Sequence, residues 1–470
     1  MNNKYIIKLL YILQTFEYEL SSFSKYSIKP YIHTKNFKYK DQLVYTSKIK
    51  IILILTLTLE TLSSFVIIFN LGVNIVSKFI LFILILFIIY QIFTPIYMSL
   101  STLLIYPIDK FIKNIQIKKA RKKVTSITNL KIIAVIGSYG KTSTVNFIKT
   151  LLSFDYKVFT PGKSINTILG ISQQINNHMD SDTEILVLEV GAYKRGEIKE
   201  VIKNFPSDIS VITSFGTQHL ERFKSTTNII KAGTEVADFA KKNAKIIAPE
   251  DIYNIPFEKY GVDIKFDENK EYIKTNYDIE KIESGVIHFK TNFSPDTFHT
   301  TLLGYSMISN LTLAIRCAEI FNIKNIQGKI NIIKPSERRM YPIYINDILY
   351  IDDTYNIGEE SAKSAINFVN DLKKKGIIKR IFVVTGGIVE RGDETEKVNT
   401  DYGKFLSNII DGVYIFNTPF KKFIKNGIQD LDKVTDTENY IDFEKYKKDF
   451  KKGDCIIMQN EITDQYYFKN

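Results

Sequence analysis

Cysteine and histidine are scarce in this chain. Only two cysteines, Cys317 and Cys455, and five histidines occur among 470 residues. Two thiols are too few for a disulfide framework or a cysteine-based zinc site, so the composition fits a reducing compartment. Internal repeats and low-complexity linkers are also lacking. The charged and apolar fractions, 24% and 45%, are those of a folded protein long enough for two or three domains.

Acidic residues are outnumbered by basic ones, which gives a formal net charge of +12. An excess of this kind occurs in nucleic-acid-binding proteins. Here the basic residues are spread along the chain, and their densest cluster, at 110–123, directly follows an apolar run. We therefore interpret the cluster as the cytoplasmic flank of a membrane segment and expect no nucleic-acid partner.

Two long runs, 51–71 and 79–106, contain almost no charge, and Glu60 is the one acid within them. Each reaches the roughly 20 helical residues that cross a hydrocarbon core of about 30 Å. The short connector predicts a helical hairpin at 51–106, with a possible kink after Gln91, where Pro95 follows. Lysines on both outer sides predict a two-pass protein of the cytoplasmic (inner) membrane with both ends, and the catalytic domains, in the cytoplasm. Glu60 has two open interpretations, a functional acid or simple pairing within the hairpin.

A β-branched apolar run, KIIAVIG, breaks into GSYGKTS and continues as a helical pattern. This arrangement predicts a phosphate-binding turn at Gly137, Ser138, Tyr139, Gly140, Lys141, Thr142 and Ser143. The glycines allow the tight turn, the lysine supplies a charge near the transferred phosphate, and Thr142 supplies a hydroxyl for Mg²⁺. The spacing, GxxGK[ST], is two residues shorter than the commonest P-loop, but it lies at a strand-to-helix turn as the mechanism requires. We expect ATP and Mg²⁺ as cofactors.

Strand-like runs and amphipathic helices alternate from Lys131 onward, which predicts an α/β fold with a parallel sheet. A polar, β-rich stretch at 252–301 interrupts the alternation, and a second α/β pattern follows a boundary near Ile330. The predicted organisation has five parts, namely an N-terminal cytoplasmic segment at 1–50, the hairpin at 51–106, a basic linker at 107–127, a P-loop-type ATP-binding domain at 128–329 and a Rossmann-like C-terminal domain at 330–470.

Further motifs follow the phosphate-binding turn in a characteristic order. They are TPGKSINTILGIS at 160–172, LEVGAYKRGEI at 188–198, GTQHLERFKSTTNIIKA at 216–232, RRMYPI at 338–343, IDDTYN at 351–356 and TGGIVERG at 385–392. Together they resemble the ordered motifs of the Mur ligase family, ATP-dependent amide-forming enzymes of cell-wall peptide synthesis, and within it the MurF branch. The resemblance covers about 128–470.

The resemblance implies that a peptide carboxylate is phosphorylated by ATP and that an amine, D-alanyl-D-alanine in the MurF branch, then displaces phosphate. It also implies roles for individual residues. Glu189 and Thr142 hold Mg²⁺, His219 supports a second metal position, and Lys141, His219 and Arg339 form the catalytic set. Asn310 contacts adenine, Arg339 the phosphates and Asp353 the ribose, while the substrate-binding residues are Asn166, Thr167, Tyr355 and Asn356.

The chain departs from the family pattern at several positions. Ser306 and Met307 stand where His and Asn are usual, and Asn399 replaces a histidine common in the third domain. Gly233 occupies the position of a lysine that is carbamylated in many members, with Lys231 two residues away. The NxNP loop of the amine site reads Asn356, Ile357, Gly358 and Glu359.

The membrane hairpin stands where the branch normally has a domain for the uridine nucleotide. Two acceptors therefore remain open, a UDP-linked peptide precursor or a lipid-linked one that the hairpin brings to the site. Rival interpretations are a related ligase for another wall peptide or acidic polymer, a non-catalytic nucleotide-binding scaffold in the membrane, and an ATPase coupled to transport. The last is disfavoured because two helices form no obvious pathway.

Overall fold

The computed structural model describes residues 3–16, 18–27, 43–162, 165–192, 194–216, 223–255, 269–283, 286–334, 338–354, 358–389, 391–416, 418–437 and 449–459. They form two compact units, the first ending at Ile115 and the second beginning at Gln116.

The first unit is helical. Its helices are α1 (Asn3–Thr15), α2 (Leu20–Ser27), α3 (Ser47–Phe69), α4 (Ile75–Ile92) and the first two thirds of α5 (Thr94–Ser126). Thr46 begins α3, because its hydroxyl accepts a hydrogen bond from the Ile49 amide. Apolar side chains of α1, α3 and α5 share one buried cluster, which includes Leu9, Ile52 and Met98.

One helix of the described residues, Ser47–Phe69, is by itself long and apolar enough to cross a membrane. The second apolar run is divided, because α4 and α5 meet at a bend of 75° and pass the same test only as one broken span. The predicted two-helix hairpin is therefore not supported as such: among the described residues the first run alone has the length and composition of a span. Many side chains of these helices are exposed, among them Ile54, Phe65, Ile75 and Phe79.

The bend lies where the sequence suggested a kink. Phe93 ends α4 and Pro95 follows in the first turn of α5, where proline lacks the amide that a continuous helix would need. The Thr94 hydroxyl lies 2.6 Å from the Tyr90 carbonyl oxygen and 2.6 Å from a carboxylate oxygen of Glu60. Glu60 is thus paired within the helical unit, which agrees with the second of its two interpretations.

The second unit contains a six-stranded parallel sheet in the order β2-β3-β1-β4-β5-β6. Its strands are β1 (Lys131–Ile136), β2 (Val158–Phe159), β3 (Ile185–Glu189), β4 (Ile209–Ile212), β5 (Lys245–Pro249) and β6 (Glu271–Thr275). The helices between them are α6 (Lys141–Leu152), α7 (Ile168–His178), α8 (Glu197–Asn204), α9 (Thr226–Phe239) and α10 (Glu250–Tyr253). The predicted alternation of strands and helices is confirmed.

Both faces of this sheet are covered, which explains why its strands are almost continuously apolar. Ile133 and Val135 of β1 point into one buried cluster, while Ile132 and Ala134 point into another. The end of α5 covers the second face with Ile117, Ala120 and Val124. The stretch predicted as a basic linker is therefore helical, and from Gln116 onward it packs on the ATP-binding part.

The polar stretch after β6 forms an antiparallel sheet of β7 (Tyr277–Glu283), β8 (Val286–Thr291) and β9 (Ser294–Thr300). Helix α11 (Tyr305–Ile320) follows. Gly304, which has a φ of 98°, precedes its first residue. The short α12 (Ile326–Ile330) ends at the predicted domain boundary.

The C-terminal domain has a second six-stranded sheet, in the order β10-β11-β15-β12-β13-β14. Its strands are β10 (Tyr341–Ile345), β11 (Ile348–Asp353), β12 (Arg380–Thr385), β13 (Gly412–Phe416), β14 (Val434–Thr437) and β15 (Asp454–Gln459). Only β10 runs antiparallel to its neighbour, and β14 was not foreseen. The helices are α13 (Glu359–Lys374), α14 (Thr395–Ser407) and α15 (Lys421–Gly427).

Candidate active site

The turn between β1 and α6 has the conformation that its glycines predict. Gly137 has a φ of 139° and Gly140 a φ of 83°, values that side-chain-bearing residues rarely adopt. Gly140 lies directly before α6, so the free amides of the first helical turn and the positive end of the helix dipole face the same space. The strand–turn–helix conformation predicted for the phosphate cradle is present in the described structure.

The end of β4 braces this cradle. The Tyr139 amide donates to the Ser214 hydroxyl at 3.0 Å, and the Ser138 amide donates to the Ser214 carbonyl at 2.9 Å. The Gly216 amide donates to the Ser138 hydroxyl at 2.9 Å. These contacts join residues about 75 positions apart in sequence, and no motif in the sequence had marked Ser214.

Lys141 folds back over the turn. Its amino group donates to the carbonyl oxygens of Gly137 at 2.6 Å and Ser138 at 3.1 Å. Loss of water lowers the pKa of Lys141 to about 8, the Glu189 carboxylate raises it, and Arg339 lowers it. A phosphate group beside the amine would favour its charged form, which is the interaction expected of a cradle lysine.

Glu189 ends β3 at the same edge of the sheet, since Val135 of β1 is paired with Glu189 in register. Its side chain is buried, and the Asn166 amide lies 3.4 Å from one carboxylate oxygen. Asn166 also packs against Gly191, where a Cβ would lie 2.7 Å from the Asn166 amide nitrogen. Two residues predicted for different roles, metal and substrate binding, are therefore neighbours.

The donors near the cradle fit Mg²⁺. Thr142 and Glu189 are both buried oxygen donors, and a buried carboxylate needs a cation nearby. No group of three or more metal-ligating His, Cys, Asp or Glu side chains occurs among the described residues. Mg²⁺ is commonly bound by one or two carboxylates together with substrate phosphates and water, so such a cluster is not required.

Asn310 lies against the cradle. It is the sixth residue of α11 and is buried, and a Cβ on Gly140 would lie 2.4 Å from its side-chain oxygen. Ser306 precedes it by one helical turn and lines the same cavity. The structure therefore brings the Asn310 side chain against Gly140 of the cradle, in the wall of the cavity.

The C-terminal domain contributes Arg339 and Asp353. Asp353 ends β11 and is buried, and one of its carboxylate oxygens accepts a hydrogen bond from the Met340 amide at 3.1 Å. Burial raises the pKa of Asp353 to about 7, although the Met340 amide and Arg339 lower it. Arg339 also lowers the pKa of Lys141 and that of Asp353, so its charge acts on both groups. Arg338 instead donates to the Thr354 hydroxyl at 2.9 Å, which separates the roles of the two arginines.

A cavity of about 960 Å³ opens beside the cradle. Its walls come from the cradle, the end of β4, α10, β7, α11 and the start of α13; the lining includes Gly140, Ser214, Tyr277, Asn310 and Glu360. The volume is within the range of small-molecule and cofactor sites. Both domains of the second unit thus line one cavity.

Gly233 has no room for a side chain. A Cβ there would lie 2.0 Å from Cε1 of Phe215, whose ring fills the space expected for a longer residue. A cavity of about 40 Å³ lies next to Phe215, Gly233 and Lys141. The residues of α9 that line it are Ile229, Ala232 and Gly233. Lys231 belongs to another face of α9, because it is about 100° from Ala232 and 200° from Gly233 around the helix axis.

Other predicted residues divide into two groups. His219, Tyr355 and Asn356 lie outside the described residues. Thr167 caps α7, since its hydroxyl accepts from the Gly170 amide at 3.3 Å, and Ser143 is buried in the first turn of α6. Asn399 is buried and pins the loop after β12, accepting from the Ile388 amide at 2.8 Å and donating to the Ile388 carbonyl at 3.0 Å.

Sequence reasoning missed two features of the site. The Tyr139 ring packs against Gly216 and Gly358, and Arg391 is buried with its guanidinium 3.3 Å from Glu359. Each contact joins residues that belong to different sequence motifs. The sequence indicated these contacts only through the large residue inside the glycine turn and the changed NxNP loop.

Comparison with known proteins gives the family of this architecture. Residues 135–318 match the Mur ligase middle domain. A UDP-N-acetylmuramoyl-tripeptide--D-alanyl-D-alanine ligase of Bacillus subtilis is 28% identical over 347 residues, which cover 70% of this chain and 72% of that protein. The same enzyme of Buchnera aphidicola is 27% identical over 65% of this chain and 69% of its own length.

Solved structures share the fold. The MurF ligase from Thermotoga maritima in complex with ADP has a TM-score of 0.64 and 21% identity, covering 76% of this chain and 82% of that chain. A pseudomurein peptide ligase type C from Methanothermus fervidus has a TM-score of 0.54 and 17% identity, covering 73% and 78%. At these identities the likeness concerns the fold.

Proposed function

Because the chain belongs to the Mur ligase family, in its MurF branch, we propose that it is an ATP-dependent ligase that joins D-alanyl-D-alanine to the peptide of a muramoyl-tripeptide cell-wall precursor. The observation that carries the proposal is the shared cavity. Tyr139 and Gly140 of the cradle line it from the central domain, and Glu360, Ser361 and Ser364 line it from the C-terminal domain.

The residues match the needs of the reaction. The peptide carboxylate attacks the γ-phosphate of ATP, which gives an acyl phosphate and ADP; the amine nitrogen then attacks the acyl carbon, and phosphate leaves as the amide forms. Negative charge on the transferred group has to be neutralised throughout. Lys141 lies at the cradle and Arg339 lies within electrostatic range of it, so the two cations are suited to share this charge.

Thr142 and Glu189 would hold Mg²⁺ next to the β- and γ-phosphates, and the ion would supply further charge neutralisation there. In this proposal Asn310 contacts the adenine and Asp353 contacts the ribose hydroxyls, whose hydrogens a carboxylate accepts. His219 and the pair Tyr355 and Asn356 keep the roles that the resemblance implies, as a metal-supporting residue and as substrate-binding residues.

The test is adduct formation by the detergent-solubilised full chain with ATP, Mg²⁺ and D-alanyl-D-alanine. UDP-linked and lipid-linked muramoyl-tripeptide are offered in parallel, and product masses are measured. We expect the dipeptide adduct on the UDP-linked acceptor, as the names of the relatives indicate for those proteins. No adduct on either acceptor, with ATP still bound, would contradict the proposal and favour another amine or a non-catalytic scaffold.

The ligase is also proposed to be a two-pass protein of the cytoplasmic membrane, with the ligase domains in the cytoplasm and lipid around 51–106. The support is the 23-residue apolar helix Ser47–Phe69, the bent pair that follows it, and the many exposed apolar side chains of both. Lysine and arginine flank the segment on both outer sides.

Single reporter cysteines test this topology, since both native cysteines are buried. Ser77→Cys lies beside the turn between α3 and α4, and Thr125→Cys lies exposed near the end of α5. In intact cells a membrane-impermeant maleimide should label the first variant and spare the second. Labelling of Thr125→Cys without permeabilisation, or of neither site until permeabilisation, would contradict the two-pass arrangement.

A further inference from the structure

The aromatic ring of Tyr139 occupies a space that exists because two glycines flank it. A Cβ on Gly216 would lie 2.5 Å from Cε2 of Tyr139. A Cβ on Gly358 would lie 1.7 Å from the Tyr139 hydroxyl oxygen and 2.4 Å from Cζ. Gly216 follows β4 in the central domain, whereas Gly358 precedes α13 in the C-terminal domain, so the ring lies between the two domains.

Backbone conformation does not explain why glycine occupies positions 216 and 358. Gly358 has a φ of −90° and a ψ of 177°, which any residue adopts, and Gly216 is not among the glycines with positive φ. Both glycines are buried. The Tyr139 ring is therefore the constraint that excludes a side chain at Gly358, and at Gly216 it acts together with Glu360, whose carboxylate oxygen a Cβ would approach to 2.8 Å.

The cradle end of this contact is rigid. The Tyr139 amide donates to the Ser214 hydroxyl at 3.0 Å, and the Tyr139 carbonyl accepts from the hydroxyls of Thr213 and Ser214. Tyr139 is also followed directly by Gly140, the N-cap of α6. Any shift of the cradle on nucleotide binding would thus move the ring with it.

The other end of the contact determines where α13 starts. Gly358 is the N-cap of α13, and the Ala362 amide donates to the Gly358 carbonyl at 2.9 Å. The next residue, Glu359, is held by Lys363 at 2.8 Å and by the buried Arg391 at 3.3 Å. Gly358 and Glu359 belong to the loop at which the chain departs from the NxNP pattern of the amine site.

We infer that Tyr139 is a positioning residue that couples the phosphate cradle to the amine-binding loop of the C-terminal domain. Nucleotide in the cradle fixes the ring, and the ring, seated on Gly358, fixes the start of α13 and the ion pair of Glu359 and Arg391. The inference rests on the proposed function, because it assigns the loop before α13 to the incoming amine.

A double-mutant cycle tests the contact. Gly358→Ala should lower kcat/KM for the amine at least tenfold and change KM for ATP less than threefold. In the Tyr139→Ser background the same substitution should cost less than twofold, because the ring is gone. Tyr139→Phe is the matched control: Cζ remains, so Gly358→Ala should still cost at least tenfold. An equal cost of Gly358→Ala in all three backgrounds would overturn the inference.

Hydrogen exchange of the full chain gives a readout without the amine. Mg-ADP should protect the first-turn amides of both α6 and α13 in the wild type, whereas in Tyr139→Ser only the α6 amides should gain protection. Protection of α13 that survives Tyr139→Ser would contradict the coupling. A wild type in which ADP protects neither helix would instead show that the proposed nucleotide function, and the inference with it, is wrong.

Discussion

The two six-stranded sheets of the second unit contribute to the site in different ways. The central sheet brings the ends of β1, β3 and β4 together, and it contributes backbone, namely the glycine turn and the amides of α6, as well as the side chain of Glu189. The C-terminal sheet brings the ends of β11, β12 and β15 together and contributes side chains, chiefly Asp353.

The difference lies in what holds each contribution in place. A glycine turn between a buried strand and a helix is set by local conformational preference. Asp353 is instead held by Met340, 13 residues earlier in the chain, and Glu359 by Arg391, 32 residues later. The conformation of the glycine turn is thus set locally, although the end of β4 braces it from about 75 positions away, and substitutions on the two sides should differ in their consequences.

The largest effect is expected on the cradle side. Lys141→Met removes the charge closest to the transferred phosphate, so the rate of adduct formation at saturating ATP should fall by about 10²–10³-fold or more. Lys149→Met is the control, since Lys149 is exposed on the same helix, α6, and it should retain wild-type activity. A loss below tenfold in Lys141→Met would mean that the lysine does not act on the phosphate.

The next effect concerns the metal. Glu189→Gln keeps the size of the side chain but removes its charge, so the Mg²⁺ concentration for half-maximal activity should rise at least about tenfold. Substitution of residues that only hydrogen-bond to a metal ligand already lowers metal affinity by this factor. Glu271→Gln is matched to it, because Glu271 begins β6 at the opposite edge of the same sheet and is exposed. An unchanged Mg²⁺ dependence would remove Glu189 from the metal site.

On the C-terminal side the expected effect is one of pH. The pKa of Asp353, raised from 3.8 to about 7, means that the folded state keeps a proton that the unfolded state releases between these values. The free energy of unfolding should therefore fall as pH rises from about 4 to 7. Asp353→Asn should make the free energy of unfolding less dependent on pH. For each kcal/mol of that dependence which the substitution removes, the change in unfolding midpoint with pH should shrink by about 2–4 °C.

Thermal unfolding at pH 5 and pH 8 measures this difference. The control is Asp347→Asn in the exposed turn between β10 and β11, where Lys452 lies 2.9 Å away. If the unfolding midpoints of the wild type and of Asp353→Asn change by the same amount between pH 5 and pH 8, Asp353 is ionised throughout this range.

The smallest effect is expected at Lys231. Since Phe215 fills the space at Gly233 and Lys231 belongs to another face of α9, Lys231→Arg should change activity less than about threefold, as surface substitutions usually do. Depletion of bicarbonate should have no effect on either protein. A large loss in Lys231→Arg together with bicarbonate dependence of the wild type would establish a carbamate at this lysine.

Much of the fold could be predicted from the sequence, because its signals were local. Apolar runs such as KIIAVI and ILVLE are strands with both faces buried, and the turn at 137–140 has the positive φ values that its glycines indicated. Strand β14, VTDT, was missed because only four residues, mostly polar, form it. The bend between α4 and α5 was foreseen only as a possibility.

The sequence by itself determined the alternation of strands and helices, the cradle and the apolar character of 51–106, since each depends on residues within a few positions of one another. The tertiary structure decided which distant residues meet. It placed Asn310 on Gly140, the Phe215 ring on Gly233, and Tyr139 between Gly216 and Gly358. Such contacts depend on the three-dimensional packing of side chains from several elements, and sequence spacing carries no direct record of that packing.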